Sequence, residues 1–290
     1  MGAYSRFAMK VFGGVGTNLS YYFPEIKLDL KKARMKYTFQ EYVSTAIFTS
    51  FLIFLIVTPV ITFFIYKILG NLLFGLVAAS TVSAISSVVL FFIFLGWPKQ
   101  INRRRSKKID SELPFASLYL SSLANSKLPL PKTIDIFAKF AGYGELSKEI
   151  NAIDADIKTF GLDVNTAMER ELERTPSKNL KELLWGILST NKTGGNLAAY
   201  LKEKSKNYIA EYRRKINEFS HQLEVFMELY IVALIVGVLL FTTVMSLISI
   251  LPGGGTNIIV IQFIMIFVFI PLISSAFILM VKSSSPGEEK

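Results

Sequence analysis

Four apolar runs, paired around a charged block, set the organisation of this chain. Residues 43–66, 72–97, 225–251 and 258–281 carry almost no charge, and each is longer than the ~20 residues that cross a hydrocarbon core ~30 Å thick. Short links join the runs within each pair, so the pattern predicts two transmembrane helical hairpins. Between the pairs, residues 98–224 are dense in charge, and their apolar positions recur every three or four residues without strand-like alternation. Six short helices are expected there. The fold class is therefore all-α: an integral membrane protein whose two hairpins flank a cytoplasmic six-helix bundle.

Local signals refine this outline. In residues 145–160 one helix face collects Leu146, Ile150, Ile153, Ile157 and Phe160, leaving Lys148, Glu149, Asp154, Asp156 and Lys158 to a solvated remainder. Thr175-Pro176 reads as a helix start, a capping hydroxyl followed by proline at the first helical position. The stripe Leu180, Leu183, Leu184, Ile187 and Leu188 follows it. Thr193-Gly194-Gly195-Asn196 ends that helix and caps the next, with Gly195 a position for left-handed backbone. From Leu197 no proline intervenes before Pro252, so the helix starting there should run straight into the third span. In the second span Gly75, Ala79, Ser83 and Ser87 form a small-residue stripe that admits another helix closely, either the first span or a second molecule. Pro59 and Pro271 fall inside the first and fourth spans and should kink them.

Charge orients the hairpins. The chain has 32 Lys and Arg against 22 Asp and Glu, for a net charge of +10. All the cations but Lys67 lie in the N-terminal arm, the central block or the tail, which places those parts on the cytoplasmic side. The expected division is a cytoplasmic arm (1–42), hairpin 1 (43–97), a cytoplasmic helical domain (98–224), hairpin 2 (225–281) and a cytoplasmic tail (282–290). The first forty residues have no long apolar core, so the first span should serve as its own uncleaved signal. The basic run Arg103, Arg104, Arg105, Lys107 and Lys108 directly follows a span, and reads as a contact for lipid headgroups or a partner. Nucleic acid is disfavoured, because no base-stacking aromatic platform accompanies the run.

Composition removes much chemistry. With no cysteine there is no disulfide, thiol nucleophile or thiolate metal site. The clusters Gly13-Gly14-Val15-Gly16, Gly194-Gly195 and Gly253-Gly254-Gly255 lack the lysine and hydroxyl of a phosphate-binding loop. The single histidine, His221, shares a helix face with Glu224 and Glu228, and these read as polar residues at headgroup level in preference to a metal site. No catalytic, cofactor or metal residue is expected, and the chain does not read as an enzyme. A transporter or channel subunit is the alternative, disfavoured because no span carries a charge at mid-depth.

Three stretches of the central block resemble a known family. They are LYLSSLANSKLPLPKTIDIFA (118–138), FGLDVNTAMERELERT (160–175) and TNKTGGNLAAYL (190–201), the last carrying Gly194, Gly195, Asn196 and Leu197 just before the long helix into the membrane. In order and spacing they are similar to the F-type membrane platform proteins of type II secretion, type IV pilus, archaellum and Tad-like machines. Ser126 stands where many members have glycine. The segment YFPEIKLDLKKARMKY (22–37) looks most like archaeal members. The resemblance implies a cell-membrane scaffold that couples a hexameric cytoplasmic secretion ATPase to insertion or extraction of pilin-like subunits. Many relatives have two such cytoplasmic domains and this chain has one, which implies a homodimer or a heterodimer with a second F-domain protein.

Overall fold

The computed structural model describes residues 3–126, 128–139, 142, 144–250, 260–261 and 263–284. Among them every regular element is helical: α1 (Ala3–Tyr22), α2 (Pro24–Lys32), α3 (Phe39–Leu69), α4 (Leu72–Asn125), α5 (Leu130–Lys139), α6 (Gly144–Lys158), α7 (Val164–Arg174), α8 (Lys178–Lys192), α9 (Leu197–Ser249) and α10 (Ile270–Ser284). Three of these, α3, α4 and α9, are long and apolar enough to cross a membrane. The chain is a membrane protein. It divides into two compact units, Met1–Lys202 and Glu203–Lys290.

In the first unit, α3 begins at a capping box. The Thr38 hydroxyl accepts from the Glu41 amide (3.3 Å), and the Glu41 carboxylate accepts from the Thr38 amide (2.8 Å). The helix stays continuous past Pro59 and ends at Gly70, whose φ of 67° is a left-handed conformation that favours glycine. Asn71 then caps α4 through the Phe74 amide. The small-residue stripe faces inward, onto α3. A Cβ on Gly75 would lie 3.5 Å from the Thr62 carbonyl oxygen, Ala79 and Ser83 are buried, Ser83 meets the Thr58 hydroxyl at 3.0 Å, and Ser87 donates to the Ser50 carbonyl at 2.8 Å. Of the two uses open to this stripe, the structure shows contact with the first span.

The boundary expected at Pro98 is not a break in the helix. α4 passes through both Pro98 and Pro114. Its 54 residues, at 1.5 Å per residue, extend about 80 Å. Missing prolyl amides cost a helix two hydrogen bonds, and burial of both prolines against neighbouring elements offsets that loss. The N-terminal residues are also more than an arm. α1 packs on α3 through Tyr4 and Phe48 (5.3 Å between ring centroids) and through Phe12 and Phe51 (6.0 Å). α2 buries Ile26 and Leu30 against Tyr42, Val43 and Leu95.

Helix ends in the central block depart from the sequence reading in three places. Ser177, not Thr175, caps α8: its hydroxyl accepts from the Leu180 amide (3.0 Å) and donates to Asp110 (2.5 Å), while the Thr175 amide closes α7 on the Glu171 carbonyl. α6 stops at Lys158, so Phe160 leaves the apolar face and is exposed. Glu149 and Asp156, expected in solvent, are buried. Asp156 joins α6 to α7 through Arg170 (3.4 Å) and Arg174 (3.3 Å). A solvated Asp156 would tolerate alanine. The buried pairing predicts instead a loss of about 1.5–3 kcal/mol for Asp156→Ala, the range for hydrogen bonds to charged groups, measurable by thermal unfolding beside Asp154→Ala as the near-neutral control.

In the second unit, Tyr230 of α9 stacks on Phe277 of α10 (4.6 Å) and pairs with the Ser274 hydroxyl (2.9 Å). α10 follows a π-helical turn, Met265–Phe269. Pro271 lies just beyond this turn, and the wider spacing of a π turn relieves the clash of a proline ring with the preceding turn's carbonyl. Among the described residues of the fourth apolar run, this π turn leads directly into the 15-residue α10. The glycine turn at 252–257 lies outside the described residues, as does most of the tail.

Candidate functional site

Three helices and the turn after α2 bring five charged side chains together around two buried carboxylates in the first unit. The spacing of apolar residues explains the convergence. Leu146, Ile150 and Ile153 build the inner face of α6, and Glu149 occupies a slot on that same face. Val164, Ala167, Met168 and Leu172 do the same in α7, with Glu171 among them. Counting back from Ile109 and Leu113 along α4 reaches Arg105. The fourth contributor is Arg34, beyond the end of α2.

Arg34 has an unusual backbone. Its φ is 52°, the only positive value outside glycine among the described residues. It closes α2 in a Schellman turn, with Met35 N–H donating to the Leu30 carbonyl (3.1 Å) and Arg34 N–H to the Lys31 carbonyl (3.0 Å). A left-handed side-chain-bearing residue costs roughly 1–2 kcal/mol. Here that conformation accompanies ion pairs to two buried carboxylates, Glu149 (3.2 Å) and Glu171 (3.0 Å). From the other side Arg105 pairs with Glu145 (2.9 Å) and Glu149, and donates to the Lys32 carbonyl. Asn102, one turn earlier, donates to Asp29 of α2. The arrangement pins α2 to α4, α6 and α7.

Its electrostatics depend on one proton. Glu149 and Glu171 are fully buried; Glu149 Oε2 meets the Arg34 guanidinium at 3.2 Å, whereas Glu171 Oε2 has no hydrogen-bond partner. Burial first, then the adjacent Glu149 carboxylate, pushes Glu171 up to about 9. At neutral pH Glu171 is thus a carboxylic acid. Its proton can bridge the two carboxyl groups, leaving Glu149 to Arg34 and Arg105 and Glu145 to Arg105 and Lys148.

The residues singled out in the sequence fall elsewhere, with one exception. Arg103, Arg104, Lys107 and Lys108 are exposed on α4, but Arg105 turns inward to the cluster and is not available to lipid or a partner. Helical periodicity separates it from its neighbours. The glycine turn after α8 is a Schellman motif in which Gly194, not Gly195, is left-handed (φ 67°), with Gly195 N–H donating to the Thr190 carbonyl (2.9 Å) and Gly194 N–H to Asn191 (3.4 Å). Asn196 caps α9 through the Ala199 amide (3.0 Å), and Leu197 opens that helix. Gly194→Ala should therefore destabilise the fold by about 1–2 kcal/mol through left-handed strain. Gly195→Ala should cost less, since the one tight approach of its Cβ is to the Thr190 methyl at 3.1 Å; thermal unfolding of the two variants checks the order. Sequence reasoning also missed Gly186, whose absent Cβ makes room for the Tyr200 ring.

His221 and Glu224 approach to 3.6 Å, both exposed. Among the described residues no group of three or more His, Asp or Glu could hold a metal.

The comparisons agree with this layout. A family model described as type II secretion system (T2SS), protein F matches residues 116–245. Two proteins of Methanocaldococcus jannaschii are similar. Uncharacterized protein MJ1286 is 26% identical over 145 residues, 50% of this chain and 24% of that protein. Uncharacterized protein MJ0780 is 26% identical over 180 residues, 62% of this chain and 52% of that protein. The chain thus spans about half or less of each relative's length. No solved structure matches it. The matched segment begins in the last turns of α4, contains α5 to α8 with the Gly194 turn, and ends inside the apolar part of α9; over that segment the chain is similar to the type II secretion system protein F family.

Proposed function

We propose that this chain is a cell-membrane platform for assembly of a type IV pilus-like or archaellum-like filament or a type II secretion pseudopilus. In this reading both termini and residues 98–224 face the cytoplasm. The helical block receives the movements of a hexameric secretion ATPase and passes them to pilin-like subunits in the membrane. Two copies, or this chain and a second F-domain protein, complete the platform. The exposed cations of α4, Arg103, Arg104, Lys107 and Lys108, contact anionic lipid or the ATPase.

The observation that carries this reading is the continuity of α4. A membrane-length apolar helix and the first helix of the family-matched block are one element, with no linker between them. α9 likewise has no break between the Gly194 turn and its apolar part. A rigid rod transmits displacement; a flexible loop absorbs it.

The test is a flexible glycine-serine insertion after Asn207 in α9, or after Gln100 in α4. Both variants should reach the membrane folded and still bind the ATPase, yet assemble no filaments by electron microscopy. Normal filaments would show that rigid coupling is not the mechanism. Orientation is tested separately, since a chain without cysteine accepts single reporters cleanly. Ser117→Cys should be shielded from an impermeant thiol reagent in intact cells, and Gly254→Cys should react.

A further inference from the structure

Where the first two apolar runs meet the helical block, α1, α3 and α4 enclose a cleft of about 690 Å³, within the ~300–1,000 Å³ of small-molecule sites. Its walls include Tyr4 of α1, Tyr42, Thr45 and Thr49 of α3, and Phe94 and Trp97 of α4. The hydroxyls of Tyr4, Tyr42, Thr45 and Thr49 are already engaged. Tyr4 pairs with Thr49 (2.8 Å), Tyr42 donates to the Phe94 carbonyl (2.6 Å), Thr45 to the Glu41 and Tyr42 carbonyls, and Thr49 to the Thr45 carbonyl (2.7 Å). What remains for an occupant is chiefly the ring faces, methyl groups and the Met35 and Ile93 side chains, with the Tyr37 hydroxyl and the Trp97 indole N–H as polar exceptions. Such a lining favours hydrocarbon over a polar metabolite.

Position identifies the source of that hydrocarbon. Thr45 and Thr49 lie a few residues inside the first apolar run, and Phe94 and Trp97 are among the last residues of the second. The cleft is therefore at the depth where acyl chains meet headgroups, with Tyr and Trp at the level these residues favour. α1 has no acidic residue from Ala3 to Tyr22 and exposes Phe7 and Val11 beside Arg6 and Lys10, the composition of a helix that lies in the interface. Two exposed cations flank the lining residues in sequence: Arg6, next to Ser5, and Lys36, between Met35 and Tyr37. Among the described residues neither has an ion-pair partner.

We propose that this cleft binds one anionic phospholipid, an acyl chain lying between α1, α3 and α4 and the phosphate held by Arg6 and Lys36. The bound lipid completes the packing of α1 on the first hairpin. Because bilayer and cleft are both apolar, burial of the chain contributes little selectivity, and the choice of lipid follows from shape and the two cations. The inference rests on the chain spanning a membrane and not on its partners, so it stands or falls apart from the filament role.

The chain has two tryptophans, Trp97 in the cleft and Trp185 exposed on α8, so W185F isolates the cleft's own fluorophore. The full chain is reconstituted into nanodiscs carrying a low mole fraction of phospholipid brominated on its acyl chains, either anionic phosphatidylglycerol or zwitterionic phosphatidylcholine. Saturable quenching of Trp97, at several-fold lower mole fraction for the anionic lipid, is the expected result. R6Q/K36Q, which alters only exposed side chains, should remove the preference between the two lipids. T45F, which fills the cleft, should remove the saturable component for both. Quenching that rises linearly with mole fraction and does not distinguish the headgroups would overturn the proposal, leaving ordinary annular lipid. Saturable binding with a preference unchanged in R6Q/K36Q would overturn the assignment of the phosphate to these cations.

Discussion

Replacing Arg105 by methionine should destabilise the protein by about 3–5 kcal/mol, the cost of leaving a buried carboxylate without its partner. Glu149 is fully buried, and Arg105 is one of two cations that reach it. Methionine preserves the stem's packing and removes the charge, so the loss reports the ion pair and not a cavity. At about 2–4 °C per kcal/mol for a domain of 150–250 residues, the unfolding midpoint falls by on the order of 10 °C. Arg103→Gln and Arg104→Gln, two residues and one residue away on exposed faces, should stay within about 0.5 kcal/mol of the parent. The double variant Arg105→Met/Glu149→Leu should recover much of the loss, because the stranded charge is gone. Equal effects at positions 103, 104 and 105 would show that Arg105 belongs to the surface run after all.

That contrast marks where the sequence was legible. Long apolar runs have one physical meaning, and α3, α4 and α9 follow from them directly. The start of α9 was equally readable, because asparagine after two glycines has few other uses. Residues of two-sided character were harder. Pro98 is a plausible break in any helix, and nothing local reveals that α4 continues through it. Arg105 sits in a basic run whose neighbours are solvated; only the phase of Ile109 and Leu113, projected backward, turns it inward. Glu149, Asp156 and Glu171 carry the same signal, a charge in a slot of an apolar stripe, and each has an arginine partner from another part of the chain. Such a charge is a reason to look for its counterion elsewhere in the chain. Arg34 had no such signal, since its role depends on a left-handed turn that sequence normally assigns to glycine.

Alkaline pH should loosen this joint. The folded chain holds at Glu171 a proton that the unfolded chain releases near 4.5, and burial beside Glu149 raises that release to about 9. Between those values the folded state binds one more proton than the unfolded state, so stability contributed by this group falls as pH rises and is lost by about pH 9. Above that pH the buried carboxylates Glu149 and Glu171 are both charged beside Arg34 and Arg105, and Glu145 already draws on Arg105 and on Lys148 (2.5 Å). Repulsion between Glu149 and Glu171 then opposes the seating of α6 and α7 on α2. Glu171→Gln keeps the shape of the protonated acid and cannot ionise. At pH 7 this variant should match the parent, and from pH 7 to 9.5 its unfolding midpoint should decline much less than the parent's. Glu171→Leu, lacking any donor to Glu149, should be weaker than the glutamine variant at neutral pH. A parent protein as stable at pH 9.5 as at pH 7 would mean that Glu171 is already ionised in the fold beside Arg34 and Arg105, and a glutamine variant with the same decline as the parent would place the alkaline loss at another group.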